Sequence, residues 1–186
     1  MVNLFQRALW LAVVVVTLVA FGFAIPLLPS FGPDSRQLTT DDAMELATGT
    51  VTLPAGWDVD IASASQRQPV ATRGNVQIGI VDAVWLGASS RLVTHAADLV
   101  FSQPPLLPDV PATADGTGSE EWQILPARDA PSGDPRSVIV LRRDTSVILV
   151  IVRGPAAEVA AVAETIDAVV ASVTFNGFTP DVGSAP

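Results

Sequence analysis

The chain contains no cysteine, lysine or tyrosine, and its one histidine is His95. Without cysteine it can form neither disulfides nor thiolate metal sites, so packing alone must hold the fold. The side chains that most often serve as nucleophiles, general bases or electrophile stabilisers are therefore scarce. This composition argues against an enzyme, and we expect no cofactor and no metal site.

Positive side-chain charge is carried by arginine alone, and ten arginines oppose nineteen acids. Arg7 is the one arginine before residue 29, so the remainder carries nine arginines against nineteen acids, a net charge of 9 − 19 = −10. A domain with this charge is repelled by phosphate backbones and by anionic lipid headgroups. We expect no nucleic-acid partner.

The longest apolar run, residues 8–28, has twenty-one residues and no charge. As a helix it would be ~31 Å long, close to the thickness of a bilayer's hydrocarbon core. Arg7 precedes it, whereas acidic residues dominate after it, which favours a cytoplasmic N-terminus and an extracytoplasmic domain. The alternative is a signal peptide cleaved after Ala24, because Gly22 and Ala24 have the small-residue spacing of a cleavage site. We expect an uncleaved single-pass anchor in the cell membrane.

The chain after the anchor alternates between strand and helix patterns and predicts an α+β domain with a mostly antiparallel sheet and two main helices. An irregular connection over 103–120 contains four prolines and is unusually long for a compact domain. The predicted elements are a short helix within 38–47, two strands around a turn within 48–61, strands at 70–73 and 76–85, a helix from Ser89 or Ser90 to about 102, a strand at 121–125, a hairpin of 137–141 with 146–152, and a helix over 155–173.

Two stretches resemble a known family. The segment TVTLPAGWDVD (50–60) and the ending AVAETIDAVVASVTF (161–175) are similar to small, secreted or anchored actinobacterial domains with the PsbP-like fold. The arginine-only, Ala/Val-rich composition is also typical of a high-GC genome. The resemblance covers roughly residues 48–175 and implies an accessory role, since PsbP-like proteins mostly support or assemble larger complexes and share no catalytic motif. The anchor and the proline-rich connection depart from the soluble members.

Few side chains suggest chemistry. His95 precedes Asp98 by three residues on the predicted helix, but no nucleophile elbow is present. Asp58 and Asp60 share one face of a strand without the spacing of a calcium loop. A surface histidine and solvated carboxylates account for these residues.

The leading hypothesis is therefore a non-enzymatic, membrane-anchored accessory subunit that docks on a larger membrane complex, such as a respiratory supercomplex or cell-envelope machinery. The alternatives are a binding module for an envelope lipid or small molecule, and a hydrolase using Asp58, Asp60 or His95. The expected partner contacts are Leu106, Leu107 and Val110 in the proline-rich connection, aided by Arg142 and Arg143. The expected organisation is 1–28 cytoplasmic tip and anchor, 29–37 tether, 38–176 extracytoplasmic domain and 177–186 disordered tail.

Overall fold

The computed structural model describes residues 34–101, 104–109, 119–126 and 136–176. The chain divides into two compact units, and the described residues all belong to the second, Asp34–Pro186. The proposed anchor at 8–28 and the tail at 177–186 lie outside the described residues. Within the described ranges, every helix is too short or too polar to cross a bilayer.

Two antiparallel sheets form the framework of the second unit. The larger has seven strands in the order β1-β4-β5-β6-β9-β8-β7, and the smaller has the order β10-β3-β2. The strands are β1 (Ser35–Gln37), β2 (Asp42–Glu45), β3 (Gly49–Leu53), β4 (Asp58–Asp60), β5 (Val70–Arg73), β6 (Val76–Val84), β7 (Glu120–Ile124), β8 (Arg136–Arg143), β9 (Ser146–Arg153) and β10 (Thr174–Phe175). The helices are α1 (Ile61–Ser65), α2 (Ser89–Val100), α3 (Ala156–Ala161) and α4 (Ala163–Ala171).

Strand β9 lies between β6 and β8 and contributes to two hydrophobic cores. Its alternate residues Ile148 and Val150 face the first core, which the small sheet and α4 complete. The residues between them, Val147 and Leu149, face the second core beneath α2. The run SVILVIV (146–152), with six consecutive apolar residues, predicts a central strand covered on both faces, and this arrangement confirms it. The α+β class with a mostly antiparallel sheet is confirmed as well.

Several elements match the sequence pattern closely. The strands predicted at 70–73 and 76–85 form the hairpin β5–β6, turned at Gly74 and Asn75. The hairpin β8–β9 is also present, and Asp144 in its turn has a positive φ of 55°. The helix expected from Ser89 is α2, and its buried stripe contains Leu92, Val93 and Ala96. These elements can be predicted from the local sequence because each buries one apolar face, and its apolar residues recur with the period of a strand or of a helix.

The helix predicted within 38–47 is wrong, since this segment forms strand β2 against β3. The acidic residues that the prediction placed in the first turn of this helix bind other groups in the structure. The Asp41 carboxylate accepts the backbone N–H of Ala55 at 2.9 Å, and Asp42 forms an ion pair with Arg36. Pairing with β3 therefore overrides the local helix signal.

The prediction of paired strands around the 54–56 turn is also wrong. The chain changes sheets at this turn, because β3 belongs to the small sheet and β4 to the large one. Leu53 and Trp57, on either side of the turn, are both fully buried in the first core. The two strands separate because β3 pairs with β2 and β10, whereas β4 pairs with β1 and β5.

The remaining differences are at the margins of elements. Ser35–Gln37, assigned to the tether from the sequence, pairs with β4 as strand β1. Helix α1 had no predicted counterpart, and the Asp60 carboxylate caps it. The single helix expected over 155–173 is divided at Val162, whose φ of −114° leaves the helical region and whose N–H bonds to Val159 in a tighter turn.

Replacing Ile148 by alanine should destabilise the domain strongly. Ile148 is fully buried on the central strand, so the substitution leaves a cavity that costs about 2–5 kcal/mol. The matched control is Ile61→Ala, whose side chain is 50% exposed and should change stability by no more than about 0.5 kcal/mol. Urea denaturation followed by circular dichroism measures both, and equal midpoints for the two variants would contradict the assignment of the core.

Gly154 should tolerate no side chain. Its φ is +148°, and an added Cβ would lie 2.8 Å from the carbonyl oxygen of Asn75. We expect Gly154→Ala to cost about 1–3 kcal/mol through backbone strain and this contact. Gly79→Ala provides the control, because Gly79 lies in β6 with no atom within 4 Å of an added Cβ. Thermal unfolding should show a lowered Tm for the Gly154 variant alone.

Candidate interaction surfaces

Two of the predicted contact residues, Leu106 and Leu107, lie beside the edge strand β7. Leu106 forms an isolated antiparallel bridge with Leu125: its N–H donates to the Leu125 carbonyl at 2.8 Å and its carbonyl accepts from Leu125 at 3.3 Å. The side chains of Leu106, Leu107 and Leu125 nevertheless remain 42%, 48% and 40% exposed. We name these three residues the β7-end leucines. Val110, the third predicted residue of this group, lies outside the described residues.

The outer edge of β7 adds backbone groups to this surface. β7 is the last strand of the large sheet, and the bridge at Leu125 is the one pairing on its outer side within the described residues. Since Leu125 directs its N–H and C=O outward, the alternating pattern directs those of Gln123 and Glu121 the same way. Both side chains are exposed. A strand edge that no other described strand pairs with, beside exposed leucines, is a surface on which a second chain can pair and pack.

Arg142, by contrast, is committed to contacts within the domain. Its Nη1 donates to Ser89 Oγ at 2.6 Å and its Nε donates to the Asp144 carbonyl at 2.8 Å. The Ser89 hydroxyl in turn donates to a carboxylate oxygen of Glu120 at 3.3 Å. This network fastens the first turn of α2 to β7 and β8. The neighbouring Arg143 is exposed.

The structure does not bring the arginines together with the β7-end leucines. Arg142 is opposite Glu120 in the pairing of β7 with β8, whereas Leu125 lies five residues further along β7. At ~3.3 Å per residue, Leu125 and the position of Glu120 opposite Arg142 are ~17 Å apart along β7. The predicted contact residues therefore belong to opposite ends of the sheet.

The side chains considered for hydrolysis are also dispersed. Asp58 lies opposite Thr72, which lies opposite Gln77 on β6. His95 stacks on Trp85, with ring centroids 5.7 Å apart, and Trp85 follows Gln77 by eight residues. Eight residues of strand correspond to ~26 Å. Asp58 and His95 therefore share no cleft.

Asp60 has a structural role instead. Its Oδ1 accepts the backbone N–H groups of Ala62 and Ser63, at 2.8 and 3.1 Å, as the N-cap of α1. A carboxylate in this position satisfies backbone donors that the first helical turn leaves free. Among the described residues, no cluster of three or more histidine and acidic side chains could hold a metal ion.

A second exposed apolar surface was not identified from the sequence. Residues 83–88, with the sequence AVWLGA, lead from the end of β6 into α2, and all but Trp85 are exposed. Val84 is 41% exposed and Leu86 is 75% exposed. The available signal was an uncharged run extending past the last alternating strand residue, but periodicity does not show where the covering layers end.

Comparison with known proteins gives a single kind of likeness. No protein-family model matches the chain, and no curated protein matches it. Among solved structures, the chain is similar to the solution structure of cyanobacterial PsbP (CyanoP) from Synechocystis sp. PCC 6803. The TM-score is 0.47 and the identity 14%, over 80% of this chain and 99% of that chain. This similarity describes the fold alone, and nothing about activity or partners follows from it.

Proposed function

We propose that this protein is a non-enzymatic accessory subunit, held in the cell membrane by residues 8–28, whose extracytoplasmic domain docks on a larger membrane complex. The observation that carries the proposal is the exposure of the β7-end leucines beside β7, the last strand of the large sheet in the part of the chain that the structure describes. Three leucines that are 40–48% exposed on a rigid edge give a partner both apolar area and backbone groups.

The backbone bridge between Leu106 and Leu125 strengthens this argument. It holds the segment in place before binding, so a partner loses little conformational entropy in ordering it. Exposed acidic side chains flank the leucines along the chain, since Asp109 follows Leu107 by two residues and Glu121 precedes Leu125 by four. The partner should therefore offer an apolar patch with a basic rim.

The choice of host follows from the proposed anchor. A domain joined by a short tether to a single-pass helix reaches only proteins in or near the same membrane. A respiratory supercomplex or cell-envelope machinery of an actinobacterium is the proposed host. The rival ligand-binding module would need an apolar cavity between sheet and helices. The described side chains between the sheet and the helices, such as Val150 in the first core and Val140 in the second, do not line such a cavity, because they are fully buried.

Docking through the β7-end leucines can be separated from folding. The double variant Leu106→Ser, Leu107→Ser should lose the partner in affinity purification from mild detergent extracts, because it removes the apolar contacts. Its Tm should change little, since both side chains are about half exposed.

Ile61→Ser is the matched control, an equally exposed side chain on helix α1 at the opposite edge of the sheet. It should retain the partner. A several-degree fall in the Tm of the double variant with the partner retained would show that the leucines serve only the domain's own packing.

The proposed topology leads to a separate prediction. Protease added to spheroplasts should degrade the domain and spare a fragment of roughly residues 1–30, because the acidic segment after the anchor favours the outer side. Mass spectrometry of the membrane fraction identifies the fragment. Complete protection would reverse the orientation, and a mature chain lacking residues 1–24 would establish a cleaved signal peptide instead.

A further inference from the structure

We propose that residues 83–88, which join β6 to α2, contact the lipid bilayer and insert the side chains of Val84 and Leu86 into its interfacial region. The inference rests on the membrane anchor of the proposed function and adds a second, independent contact with the same membrane. It also assigns the two ends of the sheet to different partners: lipid at this end, and protein at the β7-end leucines.

The first observation is the chemistry of the segment. Residues 83–88 carry no charge, and Leu86 is the most exposed of the large apolar side chains described, at 75%. Beside it, Trp85 is half buried and presents a ring with an apolar body and a polar edge. Tryptophan beside exposed aliphatic side chains is typical of segments that lie at a membrane surface.

The second observation is that the segment is held rigidly. The Trp85 backbone N–H donates to the Thr145 carbonyl at 2.7 Å, and its Nε1 donates to the Ala88 carbonyl at 3.2 Å. The ring also stacks on His95. Because these contacts fix Trp85, the flanking Val84 and Leu86 are displayed in one arrangement, and insertion into a bilayer costs little ordering entropy.

The third observation is the direction from which the chain reaches the domain. In the large sheet Gln37 pairs with Asp58, which lies at the level of Gln77 on β6. Ser35 pairs with Asp60 and therefore lies at the level of Gly79, two residues closer to the end of β6. Strand β1, read from Gln37 back to Ser35, therefore points toward the end of the sheet at which β6 finishes in Val84.

The lengths agree with a membrane at that end. Ser35 lies at the level of Gly79, and Val84 is five residues further along β6, or ~17 Å. Six residues, 29–34, separate the proposed anchor from Ser35, and a fully extended chain of this length spans at most ~20 Å. A bilayer surface reached by the end of the anchor is therefore within reach of residues 83–88 as well.

Charge distinguishes this end from the rest of the domain. Three of the nine arginines that follow the anchor lie here: Arg91 in the first turn of α2, Arg142 and Arg143. Three acids, Glu120, Asp144 and Asp82 near the end of β6, accompany them. Among the described residues the local balance is thus 3 − 3 = 0, against −10 for the whole region after the anchor, so repulsion from headgroups is weak at this end.

The absence of native cysteine allows a direct test on the full-length chain. A single cysteine at Leu86→Cys is labelled with an environment-sensitive fluorophore and reconstituted into phosphatidylcholine vesicles, with and without doxyl-labelled lipid. The matched control is Leu107→Cys, another exposed leucine at the other end of the sheet. Val84→Cys repeats the measurement in case Leu86→Cys perturbs the segment, and circular dichroism verifies the fold of each variant.

We expect doxyl lipid to reduce the emission of labels at positions 86 and 84 by about twofold or more, and to leave position 107 unchanged, because interfacial segments lie within the headgroup and upper acyl region. Equal emission at 86 and 107 would overturn the inference. So would a blue shift at 86 without lipid quenching, since that result indicates contact with protein, such as a second copy. Flotation of the vesicles separates the two proposals: a chain that fails to float refutes the anchor, whereas a chain that floats with an unquenched label at 86 refutes only the lipid contact.

Discussion

The pairing of β9 with β6 and β8 is the constraint on which the other parts of the domain depend. β9 is central in the large sheet, and its alternate side chains supply both hydrophobic cores. Ile148 and Val150 contribute to the apolar face that the small sheet and α4 cover, and Val147 and Leu149 contribute to the face beneath α2. Because dispersion and burial act over the whole interface, displacing this strand would loosen both layers together.

Polar contacts then fasten the outer layers to this framework at specific points. The backbone N–H of Thr48 donates to the Asp82 carboxylate on β6 at 2.6 Å, which ties the loop before β3 to the large sheet. Ser172 accepts the Thr52 N–H at 2.9 Å and joins the end of α4 to β3. On the other side, Arg142 secures the start of α2 through Ser89. The charged and polar groups named here serve the fold, which is why the exposed apolar side chains are the more informative guide to recognition.

The antiparallel register also decides how the two exposed apolar surfaces are separated. The β7-end leucines lie where β7 finishes, and residues 83–88 include and follow the last residues of β6, at the opposite end of the sheet. A rigid sheet between them means that one surface can contact a membrane while the other remains accessible to a protein. In the proposed function this arrangement would fix the orientation of the domain and present a defined edge to the host complex.

The sequence by itself determined the elements whose apolar period is strong and local: the β5–β6 hairpin, α2, the β8–β9 hairpin and the buried central strand. It also indicated the candidate anchor and the leucines of the proline-rich connection as candidate contacts, because uncharged runs and prolines are visible without a fold; the exposure of Leu106 and Leu107 came from the structure. Only the tertiary structure decided that residues 42–45 form a strand, that the chain changes sheets between Leu53 and Trp57, and that Arg142 donates to Ser89. It alone placed Leu106 and Arg142 at opposite ends and exposed Leu86. Strand pairing and coverage depend on residues far apart in the chain, and periodicity along one segment carries no information about which neighbour will cover it.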